Sequence, residues 1–247
     1  MVVIKRADEL ATMRRSGRVA AEVRESLRQA VRPGVSLLEL DRLAEQRIVE
    51  AGGTPSFKGY EGFPASICAS VNEEVVHGIP SDRRLKEGDI VSIDLGVILD
   101  GWHSDTATTV AVGEVREDLA RLLQVTEDSL TRAIRQAVPG HHLSDISNAV
   151  EETVRAHGYG IVRELAGHGI GRQMHEDPMV VNYGPPGQGL VLREGMTLAI
   201  EPMINLGSAE IEIDADGWTI RTRDRRPSAH FEHTVAVAEE PLVLTVV

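Results

Sequence analysis

The chain has 247 residues, 42% hydrophobic and 26% charged, with a formal net charge of -12 at pH 7. That composition is ordinary for a globular domain, and its acidic balance excludes a general binder of nucleic acid or anionic membrane, whose footprint is basic. The one cysteine, Cys68, excludes an internal disulfide and a cysteine-based zinc site and suits a reducing compartment.

The length favours one large domain, 1–247. The first residues, "MVVIKRADEL", meet charge at Lys5 and hold no apolar signal core. No run approaches the ~18 apolar residues of a membrane span. A cytoplasmic protein is expected. The first element is a helix, with Leu10, Met13, Val23, Leu27 and Val31 on its apolar stripe. A second helix follows "VRPGVSLLEL", where Ser36 and Glu39 have capping-box spacing, and it stops at Gly52.

Next comes "IDLGVILDGWHSD", Ile93–Asp105, in which Asp100-Gly101 is a two-residue hairpin turn. If Leu99 pairs with Trp102, Asp94 lies opposite Ala107, and period-two alternation puts Asp105 on the same face. Such diagonal neighbours stand roughly 7–8 Å apart at the backbone. Two carboxylates that close, among Ile90, Ile93, Val97 and Ile98, must share a proton or hold a cation.

The rest of the chain repeats the first part. Leu119, Leu122, Ile134 and Val138 mark a third helix, and "AVPGHHLSDI" opens a fourth with Ser144 as its candidate N-cap. Pro33-Gly34 recurs as Pro139-Gly140, Leu40 as Ile146, Ile48 as Val154 and Gly52 as Gly158. "EGDIVSID" (Glu87–Asp94) recurs as "EGMTLAIE" (Glu194–Glu201), and "TVAVGE" from Thr109 as "TVAVAE" from Thr234. The echo implies an α+β fold of two related halves, roughly 7–114 and 117–240, around one shared sheet with helices outside. Glu201 takes the place of Asp94. Glu232 precedes Thr234 by an even step, as Asp105 precedes Thr109, so both acids share their threonine's face. Four converging acids call for two divalent cations, and oxygen donors with some imidazole suit Mn, Fe, Co or Zn.

Among the histidines, His168 in "GHGIG" has glycine on both sides, which lets the backbone approach something bulky, and it suits the nitrogen ligand. His77 in "VVHGIP" and His175 in "QMHEDP" precede turn-forming sequence and suit contact with a substrate. His175-Glu176 is not an HExxH helix, because Met179 stands at the last position. His103 and His233 have the wrong parity to face the acids. His230 shares Glu232's parity and is expected to support the site from behind or to be structural. His141, His142 and His157 lie at helix ends. Nothing around Cys68 lowers its pKa, so a buried wall is expected rather than a nucleophile. "RTRDRR" (Arg221–Arg226) is the one basic stretch, a solvated loop or a docking surface.

Together "VVHGIP", "IDLGVILDGWHSD", "GHGIGRQMHEDP", "AIEPM" and "FEHT" resemble the type I methionine aminopeptidases in their short bacterial form, and the motifs span almost the whole chain. The resemblance implies the M24-type pita-bread fold, with two pseudo-symmetric halves, a curved antiparallel sheet inside and helices outside. It implies that Asp94 chelates one metal, that Asp105 and Glu232 bridge both, and that His168 and Glu201 bind the other. His77 and His175 would be the catalytic histidines and Glu201 the proton shuttle. Tyr60, Phe63, Cys68 and Trp218, with Phe57 and Met174, would line the methionine pocket. The implied reaction is attack of metal-activated hydroxide on the first peptide bond of a nascent chain whose second residue is small. Implied partners are nascent N-termini and, through Arg221, Arg223 and Arg225, the ribosome; a monomer with no DNA or membrane partner is expected. Rival readings are an X-Pro aminopeptidase or prolidase, which usually carries a further N-terminal domain, a non-catalytic pita-bread binding protein, and a dimetal phosphoesterase, for which clustered Arg or Lys near the motifs is lacking.

Overall fold

The computed structural model describes residues 1–247. Two helices, α1 (Ala7–Ala30) and α2 (Leu37–Glu50), precede β1 (Cys68–Val71) and a long hairpin, β2 (Ile90–Leu99) with β3 (Trp102–Ala111). Helices α3 (Glu117–Ile134) and α4 (Leu143–Arg155) then precede β4 (Gly167–Gly169), β5 (Glu176–Val180), β6 (Thr197–Ile200), β7 (Met203–Asn205), β8 (Ser228–His230) and β9 (His233–Ala236). No helix is long and apolar enough to cross a membrane.

Each helix forms where the stripe and caps allow. Met13, Ala20, Val23 and Leu27 bury one face of α1. Ser36 caps α2: its Oγ accepts the Glu39 N–H at 3.2 Å, while the Glu39 carboxylate accepts the Ser36 N–H at 2.7 Å. Helix α4 does not start at Ser144. Its N-cap is His142, whose N–H donates to the Asp145 carboxylate at 2.7 Å. The reason is reach: a capping box needs an acid three residues on, and three beyond Ser144 stands Ser147. The Ser144 hydroxyl instead accepts the Gln188 N–H at 2.7 Å.

In the β2–β3 hairpin Leu99 faces Trp102, Asp94 faces Ala107 and Gly96 faces Asp105, the register read from the turn. Asp100 (φ 52°) and Gly101 (φ 74°) both take the left-handed conformation that a tight hairpin needs. On the outer face of this ladder Ile93, Leu95 and Val97 pack under α1 and α2 with Leu27 and Ile48. On the other side of the molecule α3 and α4 cover Leu198 and Val235 with Leu122 and Val150.

The inner layer is assembled from four hydrogen-bonded ladders rather than one. In the second half His233 faces Ile200 and His230 faces Met203, so Glu201 and Glu232 fall between, opposite each other. The halves meet at a seam between β3 and the β8–β9 junction. Glu232 N–H donates to Ala107 O at 3.0 Å, and Ala107 N–H returns to Glu232 O at 3.4 Å. Threonines flank that pair. The Thr234 hydroxyl accepts the Asp105 N–H at 2.9 Å and donates to Asp105 O at 2.8 Å. The Thr109 hydroxyl accepts the His230 N–H at 2.8 Å and donates to His230 O at 2.9 Å. The echoed threonines thus exchange partners about a pseudo-two-fold axis.

Candidate active site

The inward face of the seam carries the acids. Alternation along β2 and β3 turns Asp94 and Asp105 away from the helices, into the interior. Glu201 follows β6, and Glu232 lies between β8 and β9. Asp94, Asp105 and Glu232 are buried and Glu201 nearly so. All four line one cavity of about 160 Å³. Burial is the leading cause that pushes every one of these carboxyls up: Asp94 to about 7, Glu201 to about 8, and Asp105 and Glu232 well above their ordinary range, with mutual repulsion adding to the last two.

Protein groups leave part of this charge unanswered. Asp94 Oδ1 and Glu232 Oε1 are buried and have no hydrogen-bond partner. Asp105, His168 and Glu232 each bring a donor atom within 4.8 Å of the other two. His168 Nε2 stands 3.7 Å from Glu201 Oε1, a spacing too long for a hydrogen bond and natural for two donors around one cation. His168 Nδ1–H donates to Gly169 O at 2.8 Å, which leaves Nε2 as the lone-pair nitrogen facing the acids. Burial holds that imidazole down at about 4, so it is neutral and able to ligate. Four carboxylates and one imidazole, with orphaned oxygens pointing inward, fit divalent cations of the Mn, Fe, Co or Zn kind.

His77 and His175 line the same cavity. His77 takes a left-handed backbone (φ 58°), and burial pushes its pKa down to about 4. The His175 ring lies edge-on to His168 at 4.3 Å, and its Nδ1 shares a 2.8 Å hydrogen bond with the Tyr60 hydroxyl. The remaining wall is apolar. Phe57, Tyr60, Phe63, Cys68, Met174 and Trp218 line it, with Phe63 edge-to-face on Trp218 at 5.2 Å. Cys68 sits opposite Asp94 in the β1–β2 ladder, and burial pushes its thiol well above the ordinary value, so it is wall and not nucleophile.

Every proposed ligand, catalytic and pocket residue therefore reaches one cavity. Sequence reading missed one lining residue, Glu61, which the flanking glycines Gly59 and Gly62 could have marked as the tip of a tight loop. His103 and His233 face away as their parity requires, His103 Nδ1 meeting Ser56 Oγ at 3.1 Å and His233 Nδ1 meeting Thr245 Oγ1 at 2.8 Å. His230 lies behind the acids, its Nε2 3.6 Å from Glu201 Oε2. The basic stretch is less free than its composition suggests. Arg221 pairs with Asp214 and with Glu73, Arg223 with Glu210 at 3.8 Å, and Arg225 with Glu212.

Comparison with known proteins adds a consistent pattern. The model of metallopeptidase family M24 matches residues 11–239. The chain is 50% identical to methionine aminopeptidase 1 of Bacillus subtilis, over 97% of this chain and 96% of that one. It is 48% identical to the methionine aminopeptidase of Clostridium perfringens, over 100% of both. The solved methionine aminopeptidase of Rickettsia prowazekii superposes with a TM-score of 0.98 at 42% identity, covering 100% of each chain. The prolidase of Pyrococcus furiosus shares the fold, with a TM-score of 0.81 at 24% identity over 99% of this chain and 66% of that one.

Proposed function

The chain belongs to metallopeptidase family M24, and from that premise we propose that it is a methionyl aminopeptidase, which removes the N-terminal methionine from protein chains whose second residue is small. The observation that carries this reading is one cavity lined by four carboxylates and the His168 imidazole, with donor atoms of Asp105, His168 and Glu232 within 4.8 Å of one another, and by an apolar wall.

Asp94, Asp105, His168, Glu201 and Glu232 would hold two divalent ions. When bound, the ions supply Lewis acidity to water and to the scissile carbonyl. Glu201 accepts the proton of the attacking water and returns it to the leaving amine. The Tyr60 hydroxyl occupies His175 Nδ1, so His175 is left with Nε2 to donate to the oxygen where negative charge develops. His77, fixed by its left-handed backbone, contacts the peptide beyond the scissile bond. Phe57, Tyr60, Phe63, Cys68, Met174 and Trp218 receive the unbranched thioether and exclude water from it.

Turnover of Met-Ala-Ser against Leu-Ala-Ser by the metal-reconstituted protein tests the reading: methionine is expected to be released much faster, and equal rates overturn it. Faster cleavage of an X-Pro peptide than of Met-Gly would instead assign the prolidase chemistry. The finer parts of the proposal are one catalytic domain, 1–247, with halves at roughly 7–114 and 117–240, acting as a monomer in the cytoplasm on nascent chains. Arg223 and Arg225, the more exposed of the three arginines, are the residues through which it touches the ribosome. Unchanged co-sedimentation with ribosomes at low salt after charge reversal at Arg221, Arg223 and Arg225 removes that contact from the proposal.

A further inference from the structure

The seam relates the halves residue by residue. Asp94 faces Ala107, and two steps along Gly96 faces Asp105. In the second half Glu201 faces Glu232, and two steps along Met203 faces His230. His230 therefore occupies the position that Asp105 occupies in the first half. The hydroxyl contacts agree: Thr234 closes on the backbone of Asp105, and Thr109 closes on the backbone of His230. A metal-binding acid on one side of the axis has an imidazole as its counterpart.

That imidazole is costly where it stands. His230 is 1% exposed, and neither ring nitrogen has a hydrogen-bond partner. An apolar side chain of similar size would leave nothing unmet there. The carboxylate that comes within 4 Å of His230 is Glu201, which meets a different imidazole with each oxygen: Oε1 lies 3.7 Å from His168 Nε2, and Oε2 lies 3.6 Å from His230 Nε2. Of the two imidazoles only His168 lines the cavity. The carboxylate is thus held between a ligand in front and a histidine behind.

We propose that His230 is a positioning residue for Glu201, its Nε2–H closing on Oε2 so that Oε1 alone is presented to the metal and to the transferred proton. The inference rests on Glu201 serving the metal site. A ligating carboxylate without an outer donor is free to rotate between one-oxygen and two-oxygen contact, and a donor behind it selects one orientation. His230 acts through Glu201 and does not touch substrate.

The test compares the parent with His230→Leu and His230→Gln. Metal-free protein is titrated with Mn²⁺ by calorimetry, and kcat and KM are measured on Met-Ala-Ser. His230→Leu is expected to bind Mn²⁺ about 10–100-fold more weakly and to lose kcat by a similar factor, with KM within about twofold, because His230 does not touch substrate. His230→Gln keeps an N–H at similar reach and is expected to recover most of both. Parent-like affinity and kcat in His230→Leu overturn the proposal, as does a Gln variant as impaired as the Leu variant. If the Leu variant does not fold, ¹⁵N-histidine NMR of the metal-loaded parent decides. A hydrogen-bonded Nε2–H on His230 that shifts in Glu201→Gln supports the proposal, and a His230 protonated only at Nδ1 overturns it. A parent that binds no Mn²⁺ fails before any variant is made, and that result overturns the reading of the site itself.

Discussion

The two halves solve the same problem with different strands. In the first, β2 and β3 run ten residues each and are joined by two residues, Asp100 and Gly101. In the second, the equivalent hairpin is interrupted on both sides. One strand breaks between Ile200 and Met203, where Pro202 has no N–H to offer the ladder, and the other breaks at Phe231-Glu232. The interruptions fall at the acids. Asp94 and Asp105 ride on continuous ladders, whereas Glu201 ends a strand and Glu232 hydrogen-bonds across the seam to Ala107. The connection also differs: between β7 and β8 the chain makes an excursion that carries Trp218 to the cavity wall. The first half is a continuous platform, and the second gives up ladder continuity to place an acid, its partner and an apolar wall around that platform.

The contrast can be broken at several points. Asp105→Ala and Glu232→Ala should be equally damaging although one strand is continuous and the other is not. Each is expected to lose more than the ~10–100-fold that removing an outer-sphere partner costs, with the circular dichroism spectrum retained; normal turnover in either would refute its place in the cluster. Stability should divide the halves. Leu95→Pro, in a strand paired on both sides, removes the amide N–H from the ladder and is expected to lower the chemical-denaturation midpoint strongly, whereas Pro202→Ala should shift that midpoint little and lower kcat. Equal destabilisation by the two would erase the distinction between platform and surround.

Metal and pH probe the whole cluster. Folded-state values near 7 for Asp94 and 8 for Glu201 lie above those of an unfolded chain. The stability they contribute to metal-free protein is full below the unfolded values and is lost as pH rises through the folded ones. Thermal scans of metal-free protein should therefore show a Tm that falls by more than about 4 °C between pH 6 and 9. Metal-loaded protein should not follow it; parallel curves would mean that the acids do not share the metal. The smallest expected effect is at the seam. Thr109→Val and Thr234→Val each strand a backbone N–H and a carbonyl in the interior, at about 1–3 kcal/mol, and the two losses should match in urea melts if the axis is as regular as the hydrogen bonds make it.

Much of this was legible in the chain because short-range rules fixed it. Asp100-Gly101 sets the hairpin register, and period-two alternation then leaves Asp94 and Asp105 no face but the inner one. The echo located Glu201 and Glu232 by parity alone. What escaped depended on contacts between distant segments. The α4 cap lies at His142 because Asp145 reaches back, and Ser144 turned out to serve Gln188. The arginines of the basic stretch are answered across a hairpin, where Glu212 faces Arg221 in register and Asp214 and Glu210 stand close by. Glu61 carries no spacing signal, and only the packed structure puts it on the cavity wall; parity placed His230 on the acids' face, but its approach to Glu201 Oε2 depends on the packed fold.

The seam has a meaning for ancestry. Ala107 and Glu232 exchange hydrogen bonds as two copies of one residue do across the axis of a homodimer. Two identical half-length chains would form that contact with matched side chains at every position. Within a single chain the copies are released from matching. One keeps alanine where the other carries an acid, and one keeps aspartate where the other carries histidine. The two sides of the axis therefore offer a bound peptide different groups, carboxylates and an imidazole in unlike places, which gives the cavity a front and a back.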